Sequence, residues 1–254
     1  MNLLKIPKVQ LSIILFLILL TAYFNSPSIN IIRNLALALL STIASDFIFL
    51  KLRKINFFPP TAAITTAIII TLILSPSLPP YEVFLSGILA MFFKNFIRFS
   101  NRHVFNPAGV GVIITSFIFS HNVSWWAVSF AQVSNFKSLV FFLVLLSPFL
   151  ISILRMKRFR IILSFLAANF ILTYIVSKSF TLNNLLDPTT LFFSLVMLPE
   201  PMTTPNNHTK QIVFGIFVAF LSFMISLSIF TTLRIPDPLI LSLLTGNLVF
   251  FKLR

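Results

Sequence analysis

Apolar runs dominate this chain, and short polar breaks divide them into ten segments. They cover about 6–24, 31–50, 61–75, 81–98, 105–119, 136–155, 159–177, 189–198, 210–230 and 238–252. Such runs lack the period-two alternation of a half-buried strand, and ten in succession predict a bundle of hydrophobic helices in a bilayer. The longest polar stretches are Ser120–Asn135 and Glu200–Lys210, so no soluble domain separates the segments. The expectation is a single all-α polytopic membrane domain over residues 1–254. Lys5 and Lys8 before Leu11–Leu20 imitate a signal peptide, but Thr21-Ala22-Tyr23-Phe24 offers no small-residue cleavage site. The first segment therefore reads as a transmembrane helix.

Four segments are too short to cross a hydrocarbon core of about 30 Å at roughly 1.5 Å per residue. Each follows a proline: Pro60, Pro107, Pro188 or Pro238. Three of these prolines follow Asn106, Asp187 or Asp237, a cap residue before a first-turn proline. The pattern predicts half-helices that begin inside the bundle. Pro60 pairs with Pro188 and Pro107 with Pro238, 128 and 131 residues apart. Five segments per half is an odd number, so the halves (about 1–121 and 130–254) are expected to be inverted repeats. Such repeats place a site near the midplane, at half-helix N-termini that favour anionic or polar ligands. Proline kinks without function are the plainer reading.

Composition strengthens the membrane assignment. Hydrophobic residues make up 57% and charged residues 9%, where a soluble domain carries about 25% charged. The net charge of +14 would point to nucleic acid in a soluble protein; here the cations sit in short breaks between apolar runs. With the N-terminus inside, 15 of the 19 basic residues fall on one side and four (Arg33, Lys137, Lys178, Arg234) on the other. The positive-inside rule then predicts ten spans in the plasma membrane with both termini cytoplasmic. The absence of cysteine excludes cysteine-ligated iron–sulfur centres and disulfides.

Few residues can carry chemistry. Among the five acids, Asp46 is expected either to pair with a cation such as Lys51 or to serve an ion path; Glu82 reads as a solvated loop charge. Asp187 and Asp237 read first as helix caps and second as ion-path residues. Glu200 stands in Leu198-Pro199-Glu200-Pro201-Met202-Thr203-Thr204-Pro205, a stiff segment tolerated in a membrane where it is buried or lines a cavity. A second constellation is Arg102-His103-Val104-Phe105-Asn106-Pro107-Ala108-Gly109, which joins cation, imidazole, aromatic ring and amide at a half-helix start. The two stretches are expected to converge on one cofactor site. Arg102, Asn106, Thr203 and Thr204 would donate hydrogen bonds, Glu200 would accept, and Phe105 and Met202 would form the wall. Plain alternatives are a proline-rich membrane-edge loop for Glu200 and an interface role for His103. Trp125 and Trp126 read as interfacial anchors ahead of a stacking platform for a flavin or quinone. The chain holds no phosphate-loop, dinucleotide or zinc-protease motif, and three separated histidines do not support a bis-His haem.

The same stretches carry a family resemblance. Arg102 to Ala108 contains the Phe-Asn-Pro-Ala signature of the RnfD/NqrB family, the membrane subunits of Rnf electron-transport complexes and of the sodium-pumping NADH:quinone reductase. Leu191-Phe192-Phe193 through Pro205, Lys210 through Gly215, and Pro236-Asp237-Pro238 through Leu248 resemble later family motifs in the same order. The resemblance covers most of the chain. It implies a non-autonomous subunit carrying out transmembrane electron transfer with bound FMN or riboflavin, coupled ion movement, and partners that are membrane, flavin or iron–sulfur subunits. The family's covalent FMN site, Ser/Thr-Gly-Ala-Thr, does not occur in this sequence. Any flavin is therefore expected to be held without a covalent bond. The inverted half-helix pattern alone also fits a channel or transporter for a small polar solute or ion.

Overall fold

The computed structural model describes residues 7–56, 59–128, 136–178, 186–227 and 234–253. Lys5 and Arg254, two of the basic residues counted above, lie outside them. Ten α-helices occur among the described residues, and the all-α polytopic membrane fold is as the segment pattern predicts. The helices are α1 (Pro7–Asn25), α2 (Ile29–Leu52), α3 (Thr61–Ile73), α4 (Pro80–Phe96), α5 (Pro107–Ile118), α6 (Phe136–Arg155), α7 (Phe159–Ser177), α8 (Pro188–Phe192), α9 (His208–Ser226) and α10 (Pro238–Phe250). A π-turn, Phe193–Met197, continues α8. Three helices (α2, α7 and α9) are long and apolar enough to cross a membrane by themselves.

The short helices begin where cap chemistry starts them. Asn106 accepts from Gly109 N at 2.9 Å, Asp187 from Thr190 N at 2.7 Å and Asp237 from Ile240 N at 2.7 Å. In each case proline fills the first helical position, where no N–H is required. The fourth short helix, α3, has Pro60 itself in the cap position and no side-chain cap.

Packing repeats between the halves. In the first, α2 packs on α4, α4 on α5 and α1 on α3; in the second, α7 packs on α9, α9 on α10 and α6 on the π-turn. A glycine marks the same contact in each half. A methyl at Gly87 in α4 would lie 2.0 Å from Ser41 Oγ of α2; one at Gly215 in α9 would lie 2.1 Å from Ser164 Oγ of α7. The two glycines are 128 residues apart, the spacing of Pro60 and Pro188. Close backbone approach at small residues gives the van der Waals contact that holds helices together in lipid. Fully buried phenylalanines (Phe142, Phe165, Phe192, Phe193 and Phe214) fill the second half, while Leu40, Phe47, Leu163 and Phe220 are exposed on the outside, the face turned to acyl chains.

The bundle has a basic end and a far end. Arg53 donates to Asn95 Oδ1 at the basic end, and Arg33 donates to the Leu78 carbonyl at the far end. The half-helices of the two halves run in opposite senses. The C-terminus of α3 lies at the far end, where Ile73 O accepts from Ser124 N and Trp125 N. That of α8 and its π-turn lies at the basic end, where Met197 O accepts from Asn106 Nδ2. Likewise α5 and α10 pack antiparallel. The first residues of α5 meet the last turn of α10 at Asn247, and a methyl at Gly109 would touch Ile240 and Leu244.

Three expectations change. Glu82 is buried in the first turn of α4, with Oε2 3.0 Å from His121 Nε2. The chain leaving α5 folds back over α4, which removes Glu82 from solvent. Asp46 pairs with a cation, as one of its readings has it, but the cation is Lys94 of α4 at 2.8 Å rather than the neighbouring Lys51, and Asn95 Nδ2 donates to it as well. α4 lies against α2, and it brings a cation closer than the one further along α2 itself. Trp125 and Trp126 are not interfacial anchors. Trp125 is buried against Phe192 and Phe193, and its Nε1 donates to Asp237 at 2.6 Å. Trp126 Nε1 donates to the Thr71 carbonyl at 2.7 Å.

Candidate functional site

The constellation at Arg102–Asn106 is placed by a two-residue hairpin. Arg98 pairs with His103 and Phe99 with Arg102, and Ser100 and Asn101 both turn through positive φ (45° and 63°). That backbone is the twist-compatible turn of tight hairpins, in which asparagine is well suited to positive φ. The hairpin carries the chain from α4 to α5 and directs His103 inward, where it is buried.

His103 Nε2 lies 3.0 Å from Glu200 Oε1, across 97 residues of sequence. Glu200 follows the π-turn of the second half, and its side chain keeps 21% of its surface exposed. Thr203 donates to the Glu200 carbonyl and carboxylate at 3.3 and 3.4 Å, and Thr204 donates to the same carbonyl at 2.7 Å. These bonds wind the proline-rich stretch into a turn. Both threonines are fully buried.

Beneath this pair lies an asparagine clasp. Asn106 N donates to Asn247 Oδ1 at 3.0 Å, and Asn247 Nδ2 donates to the Thr203 carbonyl at 3.2 Å. Asn106 meanwhile caps α5 with Oδ1 and reaches Met197 O with Nδ2 at 3.4 Å. Two buried amides thus join the start of α5, the end of α10 and the turn after α8. A backbone N–H left unpaired there would cost about 1–3 kcal/mol, so the two asparagines fix the register of the antiparallel pair.

The two expected stretches therefore meet, bringing His103, Asn106, Glu200, Thr203 and Thr204 into one network. Phe105 packs edge-on against Phe93, with ring centroids 5.9 Å apart, and stays half-buried, as does Met202. Arg102 is half-buried and its Nη1 has no acceptor. The three acids expected on an ion path do not assemble. Asp46 belongs to the Lys94–Asn95 network between α2 and α4, Asp187 caps α8, and Asp237 caps α10 under Trp125.

Sequence reasoning passed over two residues here. Asn247 reads as one polar residue in an apolar helix; only the fold shows it opposite Asn106. Arg158 reads as one of several basic loop residues. It is 4% exposed, and its Nη atoms donate to the carbonyls of Thr204, Pro205 and Pro201 and to Asn206 Oδ1. Burial, with a smaller contribution from the nearby charge of Arg102, pushes its pKa down to about 10, so it stays charged at neutral pH.

The profile of the NQR2, RnfD, RnfE family matches residues 5–251. No curated protein matches the chain. A match over nearly the whole length, on a bundle whose polar network joins the stretches that carry the family signatures, leads to one statement: the chain belongs to the NQR2, RnfD, RnfE family.

Proposed function

We propose that this chain is the flavin-carrying membrane subunit of an Rnf or NADH:quinone reductase type complex, passing electrons between partner subunits across the bilayer. The family match over residues 5–251 supports the complex, and the network at the basic end supports the site. The basic end faces the cytoplasm of a plasma membrane under the positive-inside rule, and the halves, about 1–121 and 130–254, are inverted repeats. Electrons enter and leave through flavin or iron–sulfur subunits, since this chain has no cysteine to hold a cluster.

A flavin needs donors for its carbonyls, an acceptor for its ring N–H and an apolar wall. The rim of the network fits these needs. Arg102 has an N–H without an acceptor, the Glu200 side chain is partly exposed, and Phe105 and Met202 are half-exposed. Asn106, Thr203 and Thr204 do not face the ligand in this reading; their polar atoms are engaged with Gly109, Met197 and Glu200, and they position the rim. His103 holds the Glu200 carboxylate in place at 3.0 Å. When bound, the flavin supplies the electron-carrying centre; the protein supplies hydrogen bonds, orientation and exclusion of water.

The test is the visible absorbance of the purified protein, followed by acid extraction. Flavin released by acid, and its loss in Glu200→Gln with folding intact, is the expected result. A flavin-free protein that supports electron transfer in its complex overturns the assignment.

A further inference from the structure

We propose that Arg102 and Arg158 form a binding site for a phosphate group at the basic end, with the phosphate supplied by a lipid headgroup or by a soluble phosphate compound. The site goes beyond the flavin reading and stands without it.

Both guanidiniums flank one short segment. Arg102 adjoins His103, whose ring bonds Glu200; Arg158 Nη2 donates to the carbonyl of the next residue, Pro201, at 3.4 Å. They come from different halves, one from the hairpin before α5 and the other from the turn before α7. Each keeps a buried N–H with no acceptor: Nη1 of Arg102 and Nε of Arg158. The acceptors Arg158 does have are neutral oxygens, three carbonyls and one amide. Among the described residues no carboxylate forms an ion pair or hydrogen bond with either guanidinium, and the nearby acid, Glu200, is bonded to His103.

A buried guanidinium beside a half-buried one, each with an orphan donor and neither ion-paired to a carboxylate among the described residues, is costly, because hydration was lost without a direct opposite charge gained. The lowered pKa of Arg158 expresses that cost. A phosphate oxygen remedies both defects: it accepts from the two orphan N–H groups and neutralises the pair. Guanidinium donors match phosphate geometry, and basic pockets between helices at the cytoplasmic side suit phosphorylated headgroups.

The experiment uses the whole purified protein, delipidated in detergent, titrated with short-chain phosphatidylglycerol, inorganic phosphate, FMN and riboflavin, and read by thermal stability and native mass spectrometry. Binding of a phosphate-bearing probe is expected, with affinity about tenfold or more weaker in Arg102→Gln, the loss of one charge-assisted contact. The unliganded stability of that variant is expected to equal or exceed the parent's, since Arg102 makes no side-chain hydrogen bond that the fold uses and its loss relieves the repulsion on Arg158. Binding of phosphatidylglycerol alone identifies a lipid source; binding of inorganic phosphate, or of FMN more tightly than riboflavin, identifies a soluble one. No binding by any phosphate probe, or equal affinity in Arg102→Gln, overturns the proposal. Riboflavin lacks the phosphate, so its binding or absence reports on the flavin reading alone.

Discussion

At the basic end, α5 begins where α10 finishes; at the far end, α10 begins where the chain leaving α5 turns back. The two ends share one plan, a capped half-helix start braced by residues of the other half, but different chemistry closes them. At the far end Asp237 caps α10 and accepts from the indole of Trp125, which is buried and lies against Phe192 and Phe193. Trp125 holds φ at 48°, a strained value for a bulky residue, worth about 1–2 kcal/mol and maintained by these contacts. At the basic end Asn106 and Asn247 form the brace, and above them stay the partly exposed Glu200 side chain and two guanidiniums with orphan N–H groups. At the far end the cap and the indole satisfy each other at the start of α10; at the basic end two guanidiniums keep donors without acceptors. A ligand for cationic donors is expected at the basic end.

The largest effect should come from the contact that both ends depend on. A methyl at Gly111 would lie 2.3 Å from the Ser86 carbonyl, a backbone atom of α4 that cannot rotate away. Gly111→Ala is expected to separate α5 from α4 at a cost of about 3 kcal/mol or more, seen as loss of monodisperse protein after detergent extraction. Gly87→Ala should be milder, because its nearest neighbours are side-chain atoms of Ser41 and Thr42. Equal losses in the two variants would contradict the packing description.

Next come the braces. Asp237→Ala removes a cap and leaves the Trp125 N–H unpaired, for about 2–4 kcal/mol; Asp237→Asn keeps one acceptor oxygen of the two, so it should retain the cap on Ile240 N but not the bond from the indole, and recover only part of the loss. Asn247→Leu strands the Asn106 N–H and is expected to cost about 2–3 kcal/mol. Thermal unfolding in detergent measures both. The smallest stability effect belongs to Glu200→Gln, under about 1 kcal/mol for a partly exposed pair, yet this variant should lose flavin where Asp237→Asn does not. A large stability loss in Glu200→Gln would turn the rim into another brace and erase the contrast.

The division of labour between the ends was only half legible in the sequence. Segment positions and cap identities could be read because they are local: a polar cap, a proline and an apolar run need no knowledge of the fold. The meeting of the Asn106 and Glu200 stretches could be read from repeat logic, since elements of two opposed halves face each other at their junction; the contact of His103 with Glu200 could not. Asn247 was invisible because a lone amide in an apolar helix carries no local signal; its meaning lies 141 residues away. Glu82 and Trp125 misled for the opposite reason. Their local signals, a charge and an indole near segment ends, are those of interface residues, and the chain after α5 buries them. Arg158 was hidden among other loop cations that differ from it only in burial.

The central claim is that the polar rim and the Asp237 brace lie on opposite sides of the membrane, the rim on the cytoplasmic side. The chain has no native cysteine, so single cysteines report without background. Asn122→Cys sits in an exposed position at the far end, and Thr209→Cys is exposed at the start of α9, beside the rim. In sealed right-side-out vesicles, a membrane-impermeant maleimide should label Asn122→Cys at once and Thr209→Cys only after permeabilisation. Labelling of both from the same side, or in the reverse order, would contradict the account.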